Sequence, residues 1–76
     1  MTTDDVSRQW PYQRVAATLR DKIASGALAG QIPSVMTLAD ELDVAHGTVE
    51  RAVRMLKSEG LLESVPGLGT FVRKPG

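Results

Sequence analysis

The 76-residue sequence predicts a mainly α fold with a small β-hairpin, three helices followed by two short strands. Two observations predict it. Three stretches place apolar residues at the i, i+3, i+4 spacing of a single helix face, and each is closed by glycine or aspartate. Near the C-terminus, the short run Leu61–Val65 and the β-branched and aromatic run Thr70–Arg73 flank Pro66-Gly67-Leu68-Gly69, the chemistry of a turn.

Taken in order, residues 1–9 are polar and unpatterned and read as a flexible tail, leaving 10–76 as one domain. The first helix is expected over Pro11–Ser25. Proline suits the first helical position because its missing N–H has no partner there anyway. Tyr12, Val15, Ala16, Leu19 and Ile23 form its apolar stripe, Gly26 supplies a left-handed cap, and Trp10 is expected to fold back on the core. A short connection, Ala27–Pro33, leads to Ser34, an N-cap for a second helix over Val35–Leu42 with Val35, Leu38, Ala39 and Leu42 on its apolar face. Asp43 ends that helix. The third is expected over Ala45–Glu59, with Val49, Ala52, Val53 and Leu56 buried and Gly60 as the stop. Leu61–Val65 and Thr70–Arg73 read as the paired strands, joined by a turn whose two glycines can take positive φ.

Composition excludes several classes. The length allows one domain. Without cysteine there is no disulfide, no thiolate metal site and no thiol nucleophile, and one histidine cannot build a metal site. No nucleophile–base pair or carboxylate dyad stands out, so the chain is not expected to be an enzyme or to carry a cofactor. Gly67-Leu68-Gly69 lacks the trailing Gly-Lys-Ser/Thr of a phosphate loop and joins strand to strand. No apolar run approaches the roughly 20 residues of a membrane span, and the first residues do not resemble a signal peptide, so a cytoplasmic protein is expected.

Nine basic residues balance nine acidic ones, which by itself speaks against a nucleic-acid partner. The balance is dipolar. Residues 1–43 carry a net −2, whereas 44–76, with Arg51, Arg54, Lys57, Arg73 and Lys74, carry +2. A local patch matters more than a sum for steering a charged partner.

Two short helices joined by a tight turn form a helix-turn-helix, and a hairpin after them makes the winged variant. In that arrangement the second helix braces the third, whose outer face fits a major groove about 12 Å wide. The same pattern also fits a small helical domain with a capping hairpin. On the third helix the buried stripe leaves Gly47, Arg51, Arg54 and Ser58 outward. Two arginines one turn apart suit phosphates and guanine edges, although Glu50, four residues before Arg54, can equally pair with it. His46 and Thr48 occupy the first turn, which in this motif points at bases, and otherwise are an ordinary exposed histidine and a capping hydroxyl. The Gly67–Gly69 tip is either a plain turn or a wing lying along DNA, with Arg73 and Lys74 in reach of phosphates.

Pro11-Tyr12-Gln13, Ile23-Ala24-Ser25-Gly26-Ala27-Leu28, Pro33-Ser34, Leu38-Ala39, Val44, Thr48-Val49, Ala52-Val53, Leu56, Glu59-Gly60-Leu61 and Gly67-x-Gly69-Thr70-Phe71-Val72 together resemble the GntR family of bacterial transcription regulators, over about residues 11–73. The resemblance implies a winged helix-turn-helix that binds palindromic operator DNA as a dimer, with contacts from the starts of the second and third helices and from the wing. The candidate DNA-binding set is Ser34, Thr37, His46, Gly47, Thr48, Arg51, Arg54, Gly67, Gly69 and Thr70. Departures from the family pattern are Val35 and Met36 for an acidic–basic pair, Asp43 for the turn glycine, Ala45 for a Ser/Thr cap, His46 for arginine, Glu50-Arg51 in reversed order, and Leu68 for a basic residue in the wing. They imply a different target sequence or weaker binding.

The leading expectation is therefore a sequence-specific DNA-binding transcriptional regulator acting as a repressor. Its partner would be double-stranded DNA, bound by a weak homodimer or with a protein partner, and no effector site is visible. The alternatives are a winged-helix protein-interaction module, or the DNA-reading domain of a larger regulator or aminotransferase-like fusion. Native-looking ends favour a free-standing regulator over a cut-out domain.

Overall fold

The computed structural model describes residues 10–73; the segment 1–9, read as a tail, and Lys74 lie outside them. Chain order is α1 (Pro11–Ser25), α2 (Val35–Leu42), α3 (His46–Ser58), β1 (Leu62–Val65) and β2 (Gly69–Val72). The expected limits of α1 and α2 hold. Helix α3 is one residue shorter at each end, because Ala45 is its extended N-cap (φ −68°, ψ 150°) and Glu59 its C-cap. Each strand limit differs from expectation by no more than one residue.

At the start of α1 the Trp10 carbonyl accepts from the N–H groups of Gln13 and Arg14 (2.9 and 3.2 Å). Gln13 Oε1 in turn accepts the Trp10 N–H at 2.9 Å, half of a capping box. The expectation that Trp10 packs into the core fails, since it is 68% exposed. Preceding a proline, Trp10 is confined to extended backbone (φ −63°, ψ 148°), which carries its side chain off the start of the helix. Gly26 closes α1 in the left-handed conformation, as expected.

The three helices meet on one core. Val15, Ala16 and Leu19 of α1, Leu38 and Ala39 of α2, and Val49, Ala52, Val53 and Leu56 of α3 are buried, with Ile32 and Leu62 closing it from the connection and the hairpin. Val49, Ala52 and Leu56 have no exposed surface. Burying a side chain the size of Val49 or Leu56 contributes about 1.5–3 kcal/mol. Between α2 and α3, Asp43 takes the left-handed conformation (φ 55°, ψ 51°) in place of the family's glycine. Its N–H donates to the Asp40 carbonyl, and that of Val44 to the Ala39 carbonyl at 3.0 Å. The chain thus turns within three residues.

Outside the core, Arg20 and Glu59 form a two-pronged pair, Nε to Oε1 at 3.0 Å and Nη2 to Oε2 at 2.7 Å, linking α1 to the end of α3. That hydrogen bonding raises the Arg20 guanidinium above its ordinary pKa. With a raised folded value, the arginine's side of the pair is fully charged below the ordinary arginine value, and its contribution is lost as pH rises above that value. Both side chains are more than a third exposed (41% and 35%), so solvent limits the pair to about 0–1 kcal/mol.

The hairpin pairs antiparallel with Leu62 opposite Val72 and Val65 opposite Gly69. Leu68 N–H donates to the Val65 carbonyl at 3.0 Å, with Pro66 and Gly67 (φ 79°) at the corner. The Ala27–Pro33 connection, expected to be irregular, also joins the sheet edge. Gln31 bridges Phe71, Ile32 N–H donates to the Thr70 carbonyl at 2.9 Å, and Val72 N–H to the Gly30 carbonyl at 2.8 Å. Gln31 Nε2 donates to the Leu68 carbonyl at 2.6 Å, tying the hairpin tip to that connection. This works only because residue 69 is glycine, at φ +122°, where an added Cβ lies 2.8 Å from Gln31 Nε2. Gly69→Ala is expected to lower stability by about 1–3 kcal/mol, through backbone strain and displacement of Gln31, as read from urea denaturation. Unchanged stability would show that the hairpin tolerates a side chain there.

Candidate nucleic-acid interface

Because α3 gives one stripe to the core, the rest of its circumference faces outward. Gly47, Arg51, Arg54 and Ser58 are exposed, as the spacing predicts, and His46, Glu50 and Lys57 join them. Arg20–Glu59 is the one ion pair among the described residues, so Glu50 does not neutralise Arg54. The arginines are left available to an outside partner.

The candidate residues fall on two flanks of this face. On the hairpin side, Ser34, Val35, Val53, Gly69 and Thr70 line a hollow running from the start of α2 to the turn end of the hairpin. It continues over α3, where Val35, Val53 and Thr70 meet Glu50, Arg54 and Lys57. On the α1 side, Gly47, Thr48 and Arg51 share a shallow groove with Trp10, Pro11, Tyr12 and Ala45. The Arg51 guanidinium carbon lies 4.1 Å from the centroid of the Tyr12 ring, a cation–π contact. So the structure brings Ser34, Arg54, Gly69 and Thr70 together, and separately Gly47, Thr48 and Arg51. Gly67 stands at the corner of the hairpin and His46 at the first position of α3, each exposed and outside both groups.

Three candidates are partly engaged locally. Ser34 Oγ accepts from the Thr37 N–H at 3.2 Å and donates to Thr37 Oγ1 at 3.0 Å, so Ser34 caps α2 with Thr37 as its partner. Thr48 is half-buried, and its N–H donates to the Ala45 carbonyl at 3.1 Å. By contrast Ala45 offers α3 no side-chain acceptor, so the N–H groups of His46 and Gly47 have no hydrogen-bond partner among the described residues. Lys57, Tyr12 and Gln31 escape sequence reasoning. Lys57 carries a signal, three residues beyond Arg54 on the same flank; Tyr12 reads as a core residue, and Gln31 carries none.

This arrangement of three helices and a hairpin is shared with known proteins. The sequence pattern of bacterial regulatory proteins of the gntR family matches residues 11–72. The chain belongs to the gntR family. The histidine utilization repressor of Pseudomonas aeruginosa is 39% identical over 66 residues, 84% of this chain and 26% of that protein. The mannosyl-D-glycerate transport/metabolism system repressor MngR of Escherichia coli is 35% identical over 65 residues, 83% of this chain and 27% of its own length. This gntR chain thus spans about a quarter of the length of these curated relatives. Among solved structures, AraR(DBD) in complex with operator ORX1 superposes with a TM-score of 0.78 at 33% identity, covering 84% of this chain and 80% of that one. The fold of this gntR domain is the winged helix-turn-helix that the helix order and hairpin predict.

The uncapped start of α3 has a measurable consequence. Ala45 already has the extended backbone of an N-cap, so Ala45→Ser supplies a side-chain acceptor for the Gly47 N–H. It is expected to stabilise the domain by about 1 kcal/mol, seen as a higher midpoint in urea. An unchanged or lower midpoint would mean that the Gly47 N–H gains nothing from a serine cap.

Proposed function

We propose that this chain is the sequence-specific DNA-reading module of a bacterial transcriptional repressor. The observation that carries the reading is the likeness, over most of this chain, to a domain solved on operator DNA, AraR(DBD). The names of the curated relatives, repressors of histidine utilization and of mannosyl-D-glycerate metabolism, support the regulatory sense. On this reading α3 enters the major groove. Arg51 and Arg54 approach base edges or phosphates from its two flanks, while His46, Gly47 and Thr48 at its start come closest to the bases. Ser34 and Thr37 at the start of α2, together with Gly67, Gly69 and Thr70 of the wing, hold the backbone. One short reading helix covers few base pairs, so two copies on a palindromic operator are part of the proposal, as is a place in the bacterial cytoplasm, nucleoid-associated when bound. Residues 10–76 form the reading domain. Because the curated relatives are about four times as long, this chain fits the reading head of a longer regulator.

A second reading has its own observation. Met36 and Leu68 are 62% and 64% exposed at positions that are basic in the family pattern, which suits a winged-helix module that binds protein.

Selection of bound sequences from random duplex DNA separates the two. DNA reading predicts a recovered motif with inverted half-sites, and affinity that falls steeply between 50 and 200 mM salt in proportion to the phosphates contacted. Arg51→Ala is expected to cost about 1–3 kcal/mol in affinity and to relax one position of each half-site. Recovery of no sequence at low salt and high protein concentration favours the protein-binding reading. Full selectivity in the Arg51 variant removes that residue from the contact set.

A further inference from the structure

We infer that Tyr12, on α1 and outside the reading helix, is a positioning residue that sets which base Arg51 prefers. The inference rests on the DNA-reading proposal and deepens it. Arg51 has one aromatic neighbour at close range, the Tyr12 ring 4.1 Å from its guanidinium carbon, and that ring is half-buried against the core. The ring is therefore a fixed surface, whereas the arginine side chain is exposed and otherwise free to sample many rotamers. Stacking draws the guanidinium toward α1, into the groove it shares with Trp10, Gly47 and Thr48, and away from Arg54 on the wing side. A guanidinium stacked by its face still presents its N–H edge, and that edge carries the paired donors matched to a guanine or a phosphate. A pre-stacked Arg51 loses less rotamer freedom on meeting DNA and meets it from one direction, so Tyr12 affects selectivity through Arg51 without touching a base.

A double-mutant cycle with base-preference profiling tests this on the full 76-residue chain. Tyr12→Leu removes the π face and keeps an apolar side chain, Tyr12→Phe keeps the face, and Arg51→Lys keeps the charge but loses the planar group. With the preferred duplex, Tyr12→Leu is expected to weaken binding about three- to tenfold, and Tyr12→Phe less than about twofold. In an Arg51→Ala background, Tyr12→Leu is expected to change affinity by less than about twofold. Both Tyr12→Leu and Arg51→Lys should flatten base preference at the same position of the half-site, with the rest of the motif intact. Equal effects of Tyr12→Leu with and without Arg51, or flattening at different positions, overturns the inference. Tighter binding by Tyr12→Leu also overturns it, because the stack would then withhold Arg51 from DNA. Should Tyr12→Leu fail to fold, Arg51→Lys decides, since that residue lies on the surface; unchanged base preference then sinks the idea. Wild-type protein that selects no DNA defeats the underlying DNA reading instead, so the two failures are distinguishable.

Discussion

One packing constraint organises this molecule: α3 can bury only one stripe. Val49, Ala52, Val53 and Leu56 spend that stripe on α1, α2 and the hairpin, and Val49, Ala52 and Leu56 are wholly enclosed. Once those side chains are locked, the direction of every other residue on α3 follows from 100° per residue. Gly47, Arg51 and Arg54 face outward because Val49, Ala52 and Leu56 face in. The proposed reading surface therefore has a rigid base, supplied by the core. Helix α2 adds to this by lodging Leu38 and Ala39 in the same core, and Asp43 sets the short turn between the two helices.

The wing obeys a second, weaker constraint. A two-stranded hairpin alone is marginal in water. Here it is held by the Gly30–Ile32 segment along one edge, by Leu62 in the core, and by Gln31 reaching the Leu68 carbonyl. That segment leads through Pro33 directly into Ser34, so the second strand of the wing and the start of α2 share an anchor. This is why Ser34, Gly69 and Thr70 line one hollow although they lie far apart in the chain. The helical core supplies the direction of α3, and the tied edge supplies the spacing between α3 and the wing.

Much of this was legible in the sequence, and the parts that were not share a physical cause. Helices announce themselves locally through the apolar period and their ends, so Pro11, Gly26, Ser34 and Asp43 mark boundaries that the structure reproduces. The outward set on α3 was legible for the same reason. Non-local pairings were not. The Gln31–Phe71 bridge leaves no periodicity to read in so short a segment, and the Tyr12–Arg51 stack joins a residue of the core stripe to one on the opposite face of another helix. Trp10 was misplaced because hydrophobicity states a preference for burial but not a direction, and the following proline decided the direction.

The division of the outer face also bears on the balanced net charge. Arg54 sits beside Glu50, Lys57 and Thr70 on the wing flank, whereas Arg51 stands apart on an aromatic surface. Phosphate attraction is nearly blind to sequence and grows with the number of cations brought to the backbone. A face that sets Glu50 among its cations gives up part of that attraction. A carboxylate there accepts a hydrogen bond from a cytosine amino group but repels a phosphate, so its presence favours reading over clinging. On the proposed reading, this domain trades general affinity for discrimination. The cost of that trade falls on the single module, which is the physical reason that a second copy on the same duplex is part of the proposal: two weak, selective heads multiply their selectivity, whereas two strongly basic ones would mainly multiply their attraction to any DNA.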